Sequence, residues 1–363
     1  GMSSSTEATS GGAAVAVSRS DTTSFISTWT VSGNEAARTV TLPLVQNNNA
    51  GSANTINFTI DWGDDTAIET IDAYNHADRT HIYGTNDTFT VTMSGTIQGL
   101  RFANGDMKAK IASITQWGSF NVTNNETFNG CGILTVSATD APTITTTSFY
   151  KMFMSCLLLT GDFSTWDTST VTNMDLTFYT CAYFNSPLAD WDVSNVTTME
   201  HMFRATTRFN QPLNDWDTTN VTDMGNMFMD CDIFNQNLND WNVEKVTSML
   251  QMFEGAEDFV GNVSGWNPTK STTMYGMFNG CTNFNQNMSA WNFSDVTSFG
   301  NFLANTTLST ANYNALLVQI NATNTKTNIT FNGGNATADG VGETARNLLL
   351  ARDPAWTITD GDS

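Results

Sequence analysis

Histidine is almost missing: three of 363 residues, none in an H-E-x-x-H frame. No G-x-S-x-G turn and no phosphate-cradling glycine loop occurs either, so zinc-protease, serine-hydrolase and nucleotide chemistry have no foothold. Basic residues are also scarce, with Lys+Arg at 14 against Asp+Glu at 35 and a formal net charge of -21. A chain this acidic repels phosphate backbones, which excludes nucleic acid as a partner. No apolar run reaches the roughly 18–20 residues of a membrane span. The five cysteines form no C-x-x-C pair, and no histidine stands at ligand spacing from them. Charged residues make up only 13% of the chain, so Asn, Thr, Ser and Gly fill the polar positions. That composition suits a β-rich extracellular surface better than a helical cytosolic enzyme. No secretory leader is visible, and Gly1-Met2 reads as a processed end from which a leader would have been removed. The paired carboxylates of a glycosidase leave no spacing to read, and the expectation is a non-enzymatic protein.

What the chain has in abundance is period. Trp166, Trp191, Trp216, Trp241, Trp266 and Trp291 are each 25 residues apart. Cys131, Cys156, Cys181, Cys231 and Cys281 keep the same clock, with small Thr206 and Ala256 in the skipped slots. Three residues before each slot stands Phe128, Phe153, Phe178, Phe203, Phe228, Phe253 or Phe278, and three after it a leucine or phenylalanine. Repetition at this period means a stack in which each unit buries its apolar face on its neighbours. In residues 185–209, Leu188, Trp191 and Val193 follow an L-x-x-L-x-L spacing, which predicts a short strand. Val196, Met199, Met202 and Phe203 are three and four apart, which predicts one or two helical turns. The cysteines read as stacked buried thiols. A bridge between Cys131 and Cys156, or Cys156 and Cys181, is conceivable on adjacent rungs, whereas Cys231 and Cys281 lie two rungs from any partner. The 16 methionines serve mostly the core of the stack.

Four domains are expected. Residues 1–22 form a flexible or assembly-dependent tail, with Val15-Ala16-Val17 a candidate strand to donate to a neighbour. Residues 23–122 alternate like strands at 25–29, 39–42, 56–60 and 89–93 and then bridge to the repeats. Residues 123–302 are the 25-residue array. Residues 303–363 are a cap of two helices and two strands, with Ser309 the N-cap of the first helix.

The unit W-D-x-S-x-V-T-x-M-x-x-M-F-x-x-C-x-x-F-N-Q-x-L, most complete from Trp191 to Leu213 and from Trp216 to Leu238, resembles the BspA-type leucine-rich repeat, also called DUF285. Pro268 and Lys270-Ser271 depart from it in the copy at Trp266. Ile60-Asp61-Trp62-Gly63-Asp64-Asp65, His81-Ile82-Tyr83 and Phe89-Thr-Val-Thr resemble a PKD-type immunoglobulin-like sandwich, with Asp65 where that pattern has a second glycine. The combined expectation is a mainly β chain with short helices: a PKD-like β-sandwich, a leucine-rich-repeat-type solenoid and a C-terminal α/β cap. The resemblance implies a surface protein, extracellular or on a cell or virion, that adheres to or binds a protein or glycan ligand. The alternative is a structural subunit of a virion appendage, surface layer or filament, a homo-oligomer joined through the tail.

Two sets of side chains are candidate sites. Asp61, Asp64 and Asp65 could hold calcium at a turn that otherwise needs its aspartates to cap backbone groups. The residues flanking each Trp should point outward, which gathers Asp190, Asp192, Asp215, Asp217, Asp240 and Asn242 on one ligand-binding face. Like charges about 5 Å apart repel unless screened or bridged. That face is therefore either a calcium, cation or polyhydroxyl site or a solvated acidic surface that suppresses edge pairing. His81 and His201 read as structural and surface residues.

Overall fold

The computed structural model describes residues 21–46 and 56–363. The tail through residue 20, including the Val15-Ala16-Val17 segment, lies outside the described residues. The chain is mainly β with few short helices, as its composition predicts.

The alternating segments near the N-terminus are strands. β1 (Phe25–Val31) buries every second residue, because a strand turns successive side chains to opposite faces. β2 is Thr39–Thr41, β3 Asn57–Asp61, β4 Glu69–Ile71, β5 Thr80–Ile82, β6 Asp87–Thr96 and β7 Ile111–Gln116. β8 is Asn121–Val122, β9 Thr135–Val136 and β10 Thr143–Ile144. A six-stranded sheet runs β4-β3-β6-β1-β7-β9, and β2 and β5 make a separate antiparallel pair. Trp29, Phe58, Ile60, Trp62, Tyr83 and Val91 are buried in this part of the core. The turn after β3 needs Gly63: its φ is +77°, and a Cβ there would sit 2.2 Å from the Thr90 carbonyl oxygen. The sheet does not stop where the repeats begin. β7 pairs in parallel with β9, and β8 with β10, so the first coil is laid directly on the sheet.

From residue 148 the chain becomes a stack of near-identical coils. Parallel bridges link Ser148, Asn173, Thr198, Asp223, Ser248, Thr273 and Ser298 in succession. The strand expected at Leu188-Trp191-Val193 is not there, and neither is the helix expected over Val196–Phe203. Both are strings of turns. Leu188 O accepts from Trp191 N at 3.1 Å and Val193 O from Val196 N at 2.9 Å, each closing a tight turn with an apolar residue at the inner corner.

Along 199–206 the backbone donors are divided in alternation. Met202, Arg204 and Thr206 donate three residues back within the coil, to Met199, His201 and Phe203. Met199, His201, Phe203 and Ala205 donate to the next coil, to Asp223, Gly225, Met227 and Met229, at 2.8–3.0 Å. This division needs left-handed backbone at His201 (φ 56°) and Ala205 (φ 57°), and it recurs at Asn226 and Asp230. Such a conformation costs a non-glycine residue about 1–2 kcal/mol, a penalty offset by the bonds to the neighbouring coil. An α-helix would keep every donor inside the coil and leave nothing to bind the stack. The three-and-four apolar spacing that suggested a helix reflects only which turn corners face inward.

Side chains complete the stack. The phenylalanines from Phe128 to Phe278 form one column of near-parallel rings 5.5–5.7 Å apart. Phe184, Phe209, Phe234, Phe259 and Phe284 form a second. Full burial of one such ring contributes about 1.5–3 kcal/mol. Trp191, Trp216, Trp241, Trp266 and Trp291 each donate Nε1–H at 2.8–3.0 Å to a carbonyl 28 residues earlier. Cys156, Cys181, Cys231 and Cys281 donate their thiols at the same offset, and Thr206 does so with its hydroxyl. All five cysteines are free and buried, and burial pushes their thiol pKa values up. Cysteine and tryptophan recur because each is apolar enough to bury yet carries one hydrogen for a carbonyl in the preceding coil.

The far end is covered by α1 (Thr310–Thr323), β11 (Thr330–Asn332), α2 (Gly340–Leu350) and β12 (Thr357–Thr359), β11 and β12 pairing in parallel. Ser309 caps α1, its side chain accepting from Asn312 N. Gln319 and Asn324 donate to the carbonyls of Trp291, Phe293 and Val296 in the last coil. Beneath α2, buried Asp360 is held by Arg346 through two bonds of 2.8 Å and by the Tyr313 hydroxyl.

Candidate functional site

Asp190, Asp192, Asp215, Asp217 and Asp240 are exposed and Asn242 is half-buried. The backbone carrying them is a pair of turns in each coil, and the side chains of Asp192, Asp217 and Asn242 are built into those turns. Asp192 Oδ1 accepts from Ser194 N at 2.9 Å and Ser194 Oγ at 2.6 Å. Asp217 Oδ1 accepts from Thr219 N, and Asn242 Oδ1 from Glu244 N. Hydrogen bonds from the Thr219 side chain and backbone hold the Asp217 carboxyl below its usual range. Asp240 Oδ2 accepts from Asn214 Nδ2 at 2.6 Å, one coil back. One oxygen each of Asp192 and Asp217 is thus held in its turn while both side chains are exposed, which with Asn242 yields a pre-ordered row of polar groups repeating once per coil.

The second set is not gathered on one point. Asp64 turns to His81, Oδ2 to Nε2 at 2.7 Å, with both side chains largely covered. Burial alone would raise the Asp64 pKa, but bonds from Thr66 and His81 outweigh it and hold the group below its usual value. The His81 ring stacks on Trp62 at 4.8 Å. Asp61 caps Gly63 N, and Asp65 is exposed at the left-handed turn position, φ 63°. Among the described residues no group of three or more His, Cys, Asp or Glu is placed to hold a metal ion. His201 is half-buried beside Glu200 and Arg204, and burial with the neighbouring arginine lowers its pKa.

Two features escaped the sequence reading. Thr172, Thr197, Thr222, Thr247, Thr272 and Thr297 are exposed, and each donates both N–H and Oγ1–H to the equivalent carbonyl one coil earlier. The recurring Val-Thr dipeptide is their signature in the sequence. Asn185, Asn210 and Asn235 form a second ladder, each Oδ1 accepting from the backbone N 25 residues on. The Asn-Gln pairs after Phe209 and Phe234 strengthen it, as Gln211 and Gln236 add bonds to Asn185 and Asn210.

The fold and this face together define a mainly β protein whose second half is a stack of 25-residue coils with a regular polar surface. The family model described as "Mycoplasma protein of unknown function, DUF285" matches residues 122–241 and 202–316, more than half of the chain. The chain belongs to the DUF285 family. No curated protein and no solved structure matches it. No helix among the described residues is long and apolar enough to cross a membrane.

Proposed function

We propose that this is a non-enzymatic extracellular surface protein that binds a protein or glycan ligand on one face of a leucine-rich-repeat-type solenoid. The N-terminal sheet region, in this reading, is a PKD-like, immunoglobulin-type spacer that holds the solenoid away from its anchorage. The observation that supports the reading is the row of turn-locked side chains Asp192, Asp217 and Asn242, one per coil. Their orientation is fixed before any ligand arrives, so little ordering entropy is lost on binding. Spacing of about 4.8 Å between coils suits a ligand that repeats on a similar scale, such as the hydroxyls of a glycan chain or an extended peptide.

The test is binding of the full chain to a glycan array and to immobilised cell-surface protein, with the double variant Asp192→Asn, Asp217→Asn alongside. Asparagine keeps the Oδ1 that each turn requires and removes only the charge, so the fold is retained. The expected result is at least about a tenfold loss of affinity in the variant, a scale typical of polar contacts at a binding face. Equal binding by both proteins moves the site off this face. Melting temperatures that do not respond to calcium in either protein end a calcium role for it.

A further inference from the structure

Two surface columns on the stack change character in the same order over three successive coils. The corner position two residues after the cysteine slot carries Arg208, Ile233 and Asp258 on three successive coils. The position two residues before the slot carries Arg204, Met229 and Glu254 on the same three. Each column therefore reads basic, apolar, acidic in the same direction. Ile233 is 42% exposed although apolar. Both arginines are laid over tyrosines of the preceding coil, Arg208 at 4.0 Å from the Tyr183 ring centre and Arg204 at 5.7 Å from that of Tyr179. Among the described residues neither makes an ion pair with an acid. In a chain of net charge -21, two fixed and unpaired arginines two coils from unpaired acids are an unusual arrangement.

We propose that this face binds a second copy of the same chain, in an antiparallel dimer whose twofold axis runs along the coil carrying Met229 and Ile233. Rotation about such an axis reverses the order of the coils and leaves each column facing its own copy. Arg208 then meets Asp258 of the other copy, Arg204 meets Glu254, and Ile233 and Met229 meet themselves at the centre. Every charged contact is made twice. A parallel arrangement would set Arg208 against itself, so the columns choose the antiparallel one. Asp232 opposes the pairing, because it lies beside Ile233 and faces its own copy across the axis. The argued contacts span three coils, about 10 Å along the stack, which places the interface at the small end of specific ones, so the dimer is expected to be weak and concentration-dependent.

The experiment is sedimentation equilibrium on the full chain from about 1 to 500 µM, a range that covers weak association. The wild type is expected to dimerise. Arg208→Asp alone places two acids at both contacts and Asp258→Arg alone places two bases there, so each variant is expected to weaken the dimer at least tenfold. Mixed together, the two variants present an arginine to an aspartate at both contacts and are expected to form a one-to-one heterodimer. Asp232→Asn is expected to tighten the wild-type dimer. A wild type that stays monomeric over the whole range overturns the proposal. So does an oligomer unaffected by either reversal, which would place the interface elsewhere, and so does a mixture in which the two variants ignore each other.

Discussion

Tryptophan at the stack's repeating position has two roles, filling the core and donating Nε1–H to the coil before, and one natural pair separates them. Trp216 is 2% exposed and donates to Leu188 O at 2.9 Å. Trp166 is 3% exposed at the same position, but the chain before it is not a regular coil and its Nε1 has no acceptor. Replacing either by phenylalanine removes the same ring volume. At 216 it also removes a hydrogen bond worth about 0.5–1.5 kcal/mol, while Leu188 O keeps its bond from Trp191 N. At 166 it removes a buried donor without a partner, which relieves about 1–3 kcal/mol. Trp216→Phe should therefore be more destabilising than Trp166→Phe by roughly 2 kcal/mol or more. The assay is guanidinium unfolding at equal slope, followed by circular dichroism and fluorescence together, because a repeat array can unfold in parts. Trp241→Phe, which loses a bond of 2.8 Å to Leu213 O, should behave like Trp216→Phe. If the substitution at 166 is as costly as the other two, the indole hydrogen bonds do not hold the coils together.

Two more expectations follow from buried groups. None of the five thiols should react with a disulfide reagent in the folded protein, since all are buried with raised pKa values, and all five should appear on unfolding. Cys231→Thr should cost less than Cys231→Ala, because Thr206 already makes the same bond with its hydroxyl. In the cap, burial would raise the Asp360 pKa, but bonds from Arg346, Tyr313 and Ser363 lower it below its ordinary 3.8. A depressed carboxyl stabilises the fold fully above the unfolded value and loses that contribution as pH falls through the folded one. Thermal midpoints should drop below about pH 4 in the wild type. Asp360→Asn should lose about 3 kcal/mol at neutral pH by stranding Arg346, with a flatter acid limb.

Much of the element order was legible in the sequence. Alternation at Phe25–Trp29 and at Phe89–Met93 marked strands of the main sheet, and Ser309 marked the start of α1. The period of the array and the burial of its cysteines were equally plain. The local conformation of a coil was not. Val196, Met199, Met202 and Phe203 carry a helical spacing, and Leu188, Trp191 and Val193 a strand-like one, yet both stretches are turns. What decides between them is where the N–H groups go, and in a stack half of them go to a chain segment 24 residues away. Apolar periodicity reports which side chains face inward and is silent on that division. The face from Asp190 to Asn242 was legible for a related reason: its outward direction follows from the inward tryptophan whichever backbone carries it. The pairing of Asp64 with His81 was not, because it joins residues 17 apart, from the turn after β3 to β5.

The alternating assignment of backbone donors has a consequence for how such a chain can change over generations. Each coil meets the one before and the one after through the same set of bonds, so a duplicated or deleted stretch of 25 residues restores every junction it interrupts. Copy number can drift by unequal recombination with no compensating substitution elsewhere. A single inserted residue has the opposite fate, since it puts every tryptophan and cysteine behind it out of reach of its carbonyl. Lineages carrying this array are expected to differ by whole coils and seldom by fractions of one.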